Sequence, residues 1–261
     1  MATARTGKLF AYISIQNIIG TFAQAAFWLQ YCVTDRPATR YWDLSSKSSK
    51  LSSSIGGRGN VMADDAPVEH ARRNPNIIIT GTPGTGKTTH CEALAARIAA
   101  AADGTGPESD AALAELRHIA VNDVVRDGNC HDGWDAAYQS WLVDEDKLLD
   151  ALEPDMTSAR GGCIVDWHAC DLFPASWVDL VVVLTADTEP LYDRLALRNY
   201  PEAKMQENID AEIMQVLLAE AHDAYEPEIV VELASNTPDD MEANVDRIAA
   251  WVTQWRKDRG V

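Results

Sequence analysis

From residue 76 onward the chain alternates two hydrophobic rhythms. Short runs rich in β-branched residues read as five buried strands of a parallel sheet: Asn76–Thr80, His118–Val121, Cys163–Asp166, Val178–Leu184 and Glu228–Leu233. Between them apolar positions recur every three to four residues, the spacing of amphipathic helices. The first helix follows residues 81–88 and turns Leu94 and Ile98 inward; the next starts at Asp123-Val-Val-Arg126. A third begins at Asp144-Glu145-Asp146, where the helix dipole favours acids. Thr185–Pro190 caps a helix carrying Arg194 and Arg198, with Pro190 in its first turn. Asn199-Tyr200-Pro201 breaks that helix, and a second long one runs to about Ala224. The last opens at Asn236-Thr237-Pro238, and its stripe of Met241, Val245, Ile248, Val252 and Trp255 is core packing. Residues 127–133 (DGNCHDG) read as a loop, and the region around 101–117 as a surface insertion with a short helix. Strands alternating with helices predict an α/β fold: a doubly wound parallel sheet whose ligand sits at the strand C-termini.

The first 61 residues follow another pattern. Residues 9–34 carry no charge, yet Ser14, Gln16, Asn17, Thr21, Gln24 and Gln30 interrupt the run, so a membrane span is the weakest reading. A Ser/Gly-rich linker follows, and Met62 opens a stretch that would serve as a start in its own right. Three readings stand for this part: not part of the functional protein, a basic targeting segment, or an anchor. We place an N-terminal extension at residues 1–73 and the folded domain at 74–261.

Charge divides the same way. Residues 1–61 hold seven basic and two acidic residues, whereas 62–261 hold 15 basic and 38 acidic. So acidic a body excludes a broad nucleic-acid face, which would need Lys and Arg for phosphate contacts, and suits a basic protein partner. Five cysteines without a Cys-x-x-Cys pair argue against a disulfide framework. The neighbours His90–Cys91, Cys130–His131 and His168/Cys170 lack the spacing of a structural zinc site.

The strongest chemical signal is Gly81-Thr-Pro-Gly-Thr-Gly86-Lys87-Thr88, a full match to G-x-x-x-x-G-K-[ST] between a strand and a helix. Glycines at 81, 84 and 86 let the backbone curl so that its N–H groups face phosphate oxygens. Lys87 is then the residue for the β- and γ-phosphates, and Thr88 the hydroxyl ligand for Mg²⁺. The chain therefore predicts a nucleoside-triphosphate site. Asp166 closes its strand beside that loop as the metal-side acid, and His168 stands two residues on. With Arg194 and Arg198 on a helical hairpin, this is a small P-loop kinase layout.

ITGTPGTGKTT, DGWDAAY, LVDED, GGCIVDWHACDLFP, RLALRNY and Asn208-Ile209…Glu212-Ile213 resemble the adenylate kinase isoenzyme 6 family, from about Asn74 to Trp255. The resemblance implies a nucleoside monophosphate kinase fold, with the monophosphate-binding part at about 120–143 and a short lid at about 197–209. It implies phosphoryl transfer from ATP to AMP or dAMP, ATP hydrolysis, and a role in maturation of the small ribosomal subunit. The implied partner is a basic small-subunit ribosomal protein, in nucleus and cytoplasm. Gly84, Gly86, Lys87, Thr88 and Thr89 match the family's phosphate contacts, Arg198 its lid arginine and Arg126 its monophosphate-segment arginine. Asp123 and Arg194 join Arg126 as candidate substrate contacts. Where the family has a lysine near the base, this chain has Thr237, leaving a backbone contact or a simple N-cap.

Ordinary adenylate kinases follow the strand acid with Gly-Phe-Pro-Arg, whose arginine grips AMP. Here Trp167-His168-Ala169-Cys170 replaces it. His168 can orient or activate water or hold the monophosphate, tune Mg²⁺ through Asp166, or be a satisfied core histidine. Lys87, Asp166 and His168 are the catalytic candidates. Three functions compete: an ATP:AMP phosphotransferase, an ATPase switch gripping a ribosomal protein, and a P-loop kinase for another acceptor such as a sugar acid. His70, His90, His118, His131 and His222 read as structural or surface.

Overall fold

The computed structural model describes residues 72–102, 115–136, 140–198 and 200–261. The chain divides into two units, residues 1–67 and 68–261, and every described residue lies in the second. The uncharged run at 9–34 and most of the insertion fall outside the described residues. No described helix is long and apolar enough to cross a membrane.

Five strands form one sheet in the order β2-β5-β1-β6-β7, every neighbouring pair parallel. They are β1 (Ile77–Gly81), β2 (Arg117–Ala120), β5 (Cys163–Asp166), β6 (Leu180–Thr185) and β7 (Val230–Ala234). Parallel pairing demands crossovers, and helices supply them on both faces, so the central strands are apolar on both sides. Alternate side chains show the division. Ile78, Val165, Val181 and Val183 pack with Leu148, Leu152 and Met156 of α3 (Glu145–Met156). Ile77, Ile79, Ile164 and Val182 pack with Leu94 and Ile98 of α1 (Lys87–Ala102). Val245, Ile248 and Val252 of α7 (Pro238–Arg259) complete that second face, and Trp255 is buried as the stripe requires. Deleting any of these isoleucine side chains would cost about 2–5 kcal/mol. Asn76 closes the sheet's N-terminal edge: its amide donates to Met156 O (2.8 Å) and Trp177 O (2.9 Å) and accepts from Cys163 N (3.1 Å).

Some elements differ from the sequence expectation. After α2 (Val121–Asp127), residues read as loop form strand β3 (His131–Asp135), antiparallel to β4 (Ser140–Val143). The pairing sets Trp134 across from Trp141, ring centroids 5.1 Å apart, while His131 stacks on Trp141 at 4.1 Å. Cross-strand aromatics hold this hairpin together, and Asp and Gly on one strand conceal it from a pattern search. Helix α4 (Thr188–Ala196) ends before Arg198. The long helix expected after it is two, α5 (Glu202–Ile213) and α6 (Val216–Ala224), parted at Gln215 with φ 52°.

Candidate active site

The phosphate loop leaves the end of β1 and delivers its chain into α1 through backbone that glycine alone takes easily. Gly81 has φ 146°, and a Cβ there would sit 2.5 Å from Leu184 O. At Gly84 (φ 103°) a Cβ would lie 2.8 Å from Leu191 of α4. His90, wholly buried, braces the loop from within α1: its Nδ1–H donates to Gly86 O at 2.9 Å, and Nε2 faces the Asn244 amide at 3.4 Å. Burial lowers the His90 pKa, which suits a neutral ring with one donor and one acceptor. Lys87 Nζ folds into the cradle and donates to Gly81 O (2.7 Å) and Thr82 O (3.3 Å). Burial lowers its pKa to about 8 against the pull of the Asp166 charge.

Asp166, 6% exposed, ends β5 in register with Ile79 of β1 and Ala120 of β2. Thr88 Oγ1 donates to its Oδ2 at 2.5 Å. Burial raises the carboxyl pKa, but His118, the Thr88 hydroxyl and the Lys87 ammonium together outweigh it and hold Asp166 below the usual carboxylate range. An ionised carboxylate touching a threonine hydroxyl at a helix N-terminus is a hard-oxygen pair that fits Mg²⁺. A cleft of about 440 Å³ opens beside it, lined by Thr88, Glu92, His118, Asp123 and Val124. His168 follows, its ring 4.2 Å from that of Trp167 and its carbonyl accepting from Thr80 Oγ1 at 3.2 Å. Burial, aided by the Lys87 charge, lowers the imidazole pKa to about 3, so in the free protein it is neutral at every working pH.

The AAA domain family matches residues 77–215. An adenylate kinase isoenzyme 6 homolog of Candida albicans is 48% identical over 181 residues, 69% of this chain and 70% of that one. The Schizosaccharomyces pombe homolog is 47% identical over 71% of this chain and 96% of its own length. That of Saccharomyces cerevisiae is 45% identical over 72% and 87%. The chain belongs to the adenylate kinase isoenzyme 6 family. The phosphate loop, the metal-side acid and the parallel sheet are those of a P-loop nucleotide kinase.

Against that family, the remaining candidates fall in distinct places. Gly84, Gly86, Lys87, Thr88 and Thr89 lie together on the loop and first turn of α1. Arg198 is exposed past α4, and its charge lowers the Lys87 pKa, which sets it on the phosphate side. Arg194 is bound by carbonyls: Gly84 O (3.3 Å), Ser235 O (2.7 Å) and Asn236 O (2.7 Å). It ties the phosphate loop to the segment before α7. Asp123 lines the cleft, whereas Arg126 is exposed in ion pairs with Asp127 (2.7 Å) and Asp123 (2.9 Å), and Asp127 holds its pKa well above the usual value. Thr237 spends its hydroxyl in a capping box with Asp240, leaving only backbone for a ligand.

Two residues escaped the sequence reading. Glu212 at the end of α5 accepts from Ala186 N (2.7 Å) and from the Thr82 hydroxyl, latching the helix after the lid to the phosphate loop. Its place in the Asn208-Ile209…Glu212-Ile213 motif was the available signal. His118, read as structural or surface, stands instead at the cleft with Nε2 3.6 Å from Asp166 Oδ2. No local spacing announces it, because strand pairing alone brings β2 beside β5.

Proposed function

We propose that the chain is an Mg·ATP-dependent nucleoside monophosphate kinase that moves the γ-phosphoryl group to AMP or dAMP and also hydrolyses ATP. The observation that carries this reading is the cradle: Lys87 Nζ within 2.7 Å of Gly81 O, and Thr88 bonded to a buried, ionised Asp166. A triphosphate entering that loop exchanges the two carbonyls for phosphate oxygens as partners of the lysine. The loop N–H groups and the α1 N-terminus hold the same oxygens. Thr88 and Asp166 would hold Mg²⁺, which supplies neutralisation of charge on the β- and γ-phosphates. Phosphoryl transfer asks mainly for positioning and charge, so Lys87 comes first and His168 second, its neutral ring able to hold the acceptor phosphate or orient a water. Glu212 links lid-side movement to the loop that grips the phosphates.

A second reading has its own support. The Gly-Phe-Pro-Arg clamp is replaced by Trp167-His168, and Arg126 is engaged by acids on the surface. Both favour an ATPase whose nucleotide state controls its grip on a basic small-subunit ribosomal protein, in nucleus and cytoplasm, during 18S rRNA maturation. The acidic body suits that partner. The test is ADP formation from Mg·ATP alone, with AMP, and with the ribosomal protein. AMP stimulation with two ADP per turnover supports the kinase, whereas stimulation only by the protein supports the switch. No ADP under any condition overturns both.

A further inference from the structure

We propose that Cys91, His118 and Asp166 form a zinc site that borrows the magnesium-side carboxylate. One ligand atom from each lies within 4.8 Å of the others. Three elements converge to make it. Cys91 sits on α1 three residues after Thr88, on the same helical face. His118 and Asp166 stand on neighbouring strands, in the register that pairs Ala120 with Asp166. Tetrahedral zinc, about 2.3 Å from sulfur and about 2.0 Å from nitrogen, asks for ligand atoms roughly 3.5 Å apart. His118 Nε2 and Asp166 Oδ2 already stand 3.6 Å apart, so the remaining adjustment falls to the Cys91 thiol.

The second observation is that His118 Nε2 is buried without a hydrogen-bond partner. At 3.6 Å from the carboxylate its contact is too long for a good hydrogen bond, and a buried imidazole nitrogen so weakly satisfied is costly to the fold unless something fills the place. The donor set names the ion. Magnesium takes oxygen ligands in an octahedron, whereas a thiolate, an imidazole and a carboxylate suit zinc. Water from the cleft beside Thr88 and His118 completes the fourth position. As the Zn–S bond forms, the thiol proton leaves to solvent.

On the kinase reading given above, an ion held there withdraws Asp166 from Thr88, so zinc opposes Mg·ATP; the metal site itself does not depend on that reading. The test uses the full chain, stripped of metal with a chelator and free of nucleotide. One equivalent of cobalt should give a thiolate-to-cobalt charge-transfer band that zinc abolishes and magnesium leaves. Since neighbours of metal ligands alone are worth 10–100-fold, Cys91→Ala and His118→Ala should each weaken zinc binding by about tenfold or more. Zinc should inhibit ADP formation by the wild type and spare the Cys91→Ala variant. A cobalt complex lacking the thiolate band, or zinc affinity unchanged in the His118→Ala chain, overturns the site, whether or not the protein turns over ATP.

Discussion

Because burial brings the Lys87 pKa down to about 8, triphosphate binding should weaken in alkaline solution far earlier than an ordinary lysine would allow. Binding a polyanion restores the ammonium to at least its usual 10.5, so below pH 8 the lysine is charged both free and bound, and affinity is level. Above pH 8 the free protein must take up a proton to bind. Affinity then falls about tenfold per pH unit, reaching about a hundredfold by pH 10, or about 2.7 kcal/mol. Stability moves oppositely. The folded pKa lies below the unfolded one, so the unfolded chain holds more protons between pH 8 and 10.5 and folding gains as pH rises, by at most roughly 3 kcal/mol before solvent screening. Calorimetric titration of Mg·ATP at pH 7, 8, 9 and 10 reads the first effect. Lys87→Arg is the control, since its guanidinium stays charged throughout and its weaker binding should be flat. Affinity level to pH 10 in the wild type, or the same fall in the arginine variant, would refute the assignment.

Other expectations follow from single contacts. Glu212→Ala removes two hydrogen bonds to a carboxylate and should cost about 2–4 kcal/mol in urea denaturation, with a raised KM for ATP; an unchanged midpoint would show that the latch is not held in solution. His168→Ala should cut the rate of ATP hydrolysis about a hundredfold while altering ATP affinity far less, and equal loss of both would remove it from the chemistry. Thr237→Ala should cost about 1 kcal/mol of stability by opening the α7 capping box, with nucleotide affinity unchanged. A fall in ATP affinity there would mean the hydroxyl reaches the ligand.

Much of this was legible in the chain because each signal was local. The β-branched runs marked the central strands β1, β5 and β6, since strands covered on both faces have no polar alternation to confuse, and the edge strands β2 and β7 were legible from their place between helical stretches. The cradle was legible because glycine at 81, 84 and 86 answers a backbone demand that no other residue meets easily. The hairpin β3–β4 was not, because Trp134 and Trp141 stabilise it from two separate strands. The His118–Asp166–Cys91 cluster was equally hidden, spanning 27 residues from Cys91 to His118 and 48 to Asp166, with only strand order and helix placement joining them. Charged side chains were the hardest to place. Arg194 looked like a ligand contact and is surrounded by carbonyls, and Arg126 is held by the acids beside it.

In the proposed mechanism the loop at 81–89 grips a magnesium-bound triphosphate through one buried ammonium. Calorimetry of Mg·ATP with the full chain and with its Lys87→Ala variant tests it most directly. One site is expected in the wild type, and affinity at least about tenfold weaker in the variant, the loss of one charge-assisted hydrogen bond of about 1.5–3 kcal/mol. No heat from the folded wild type, or equal binding by the variant, would contradict it.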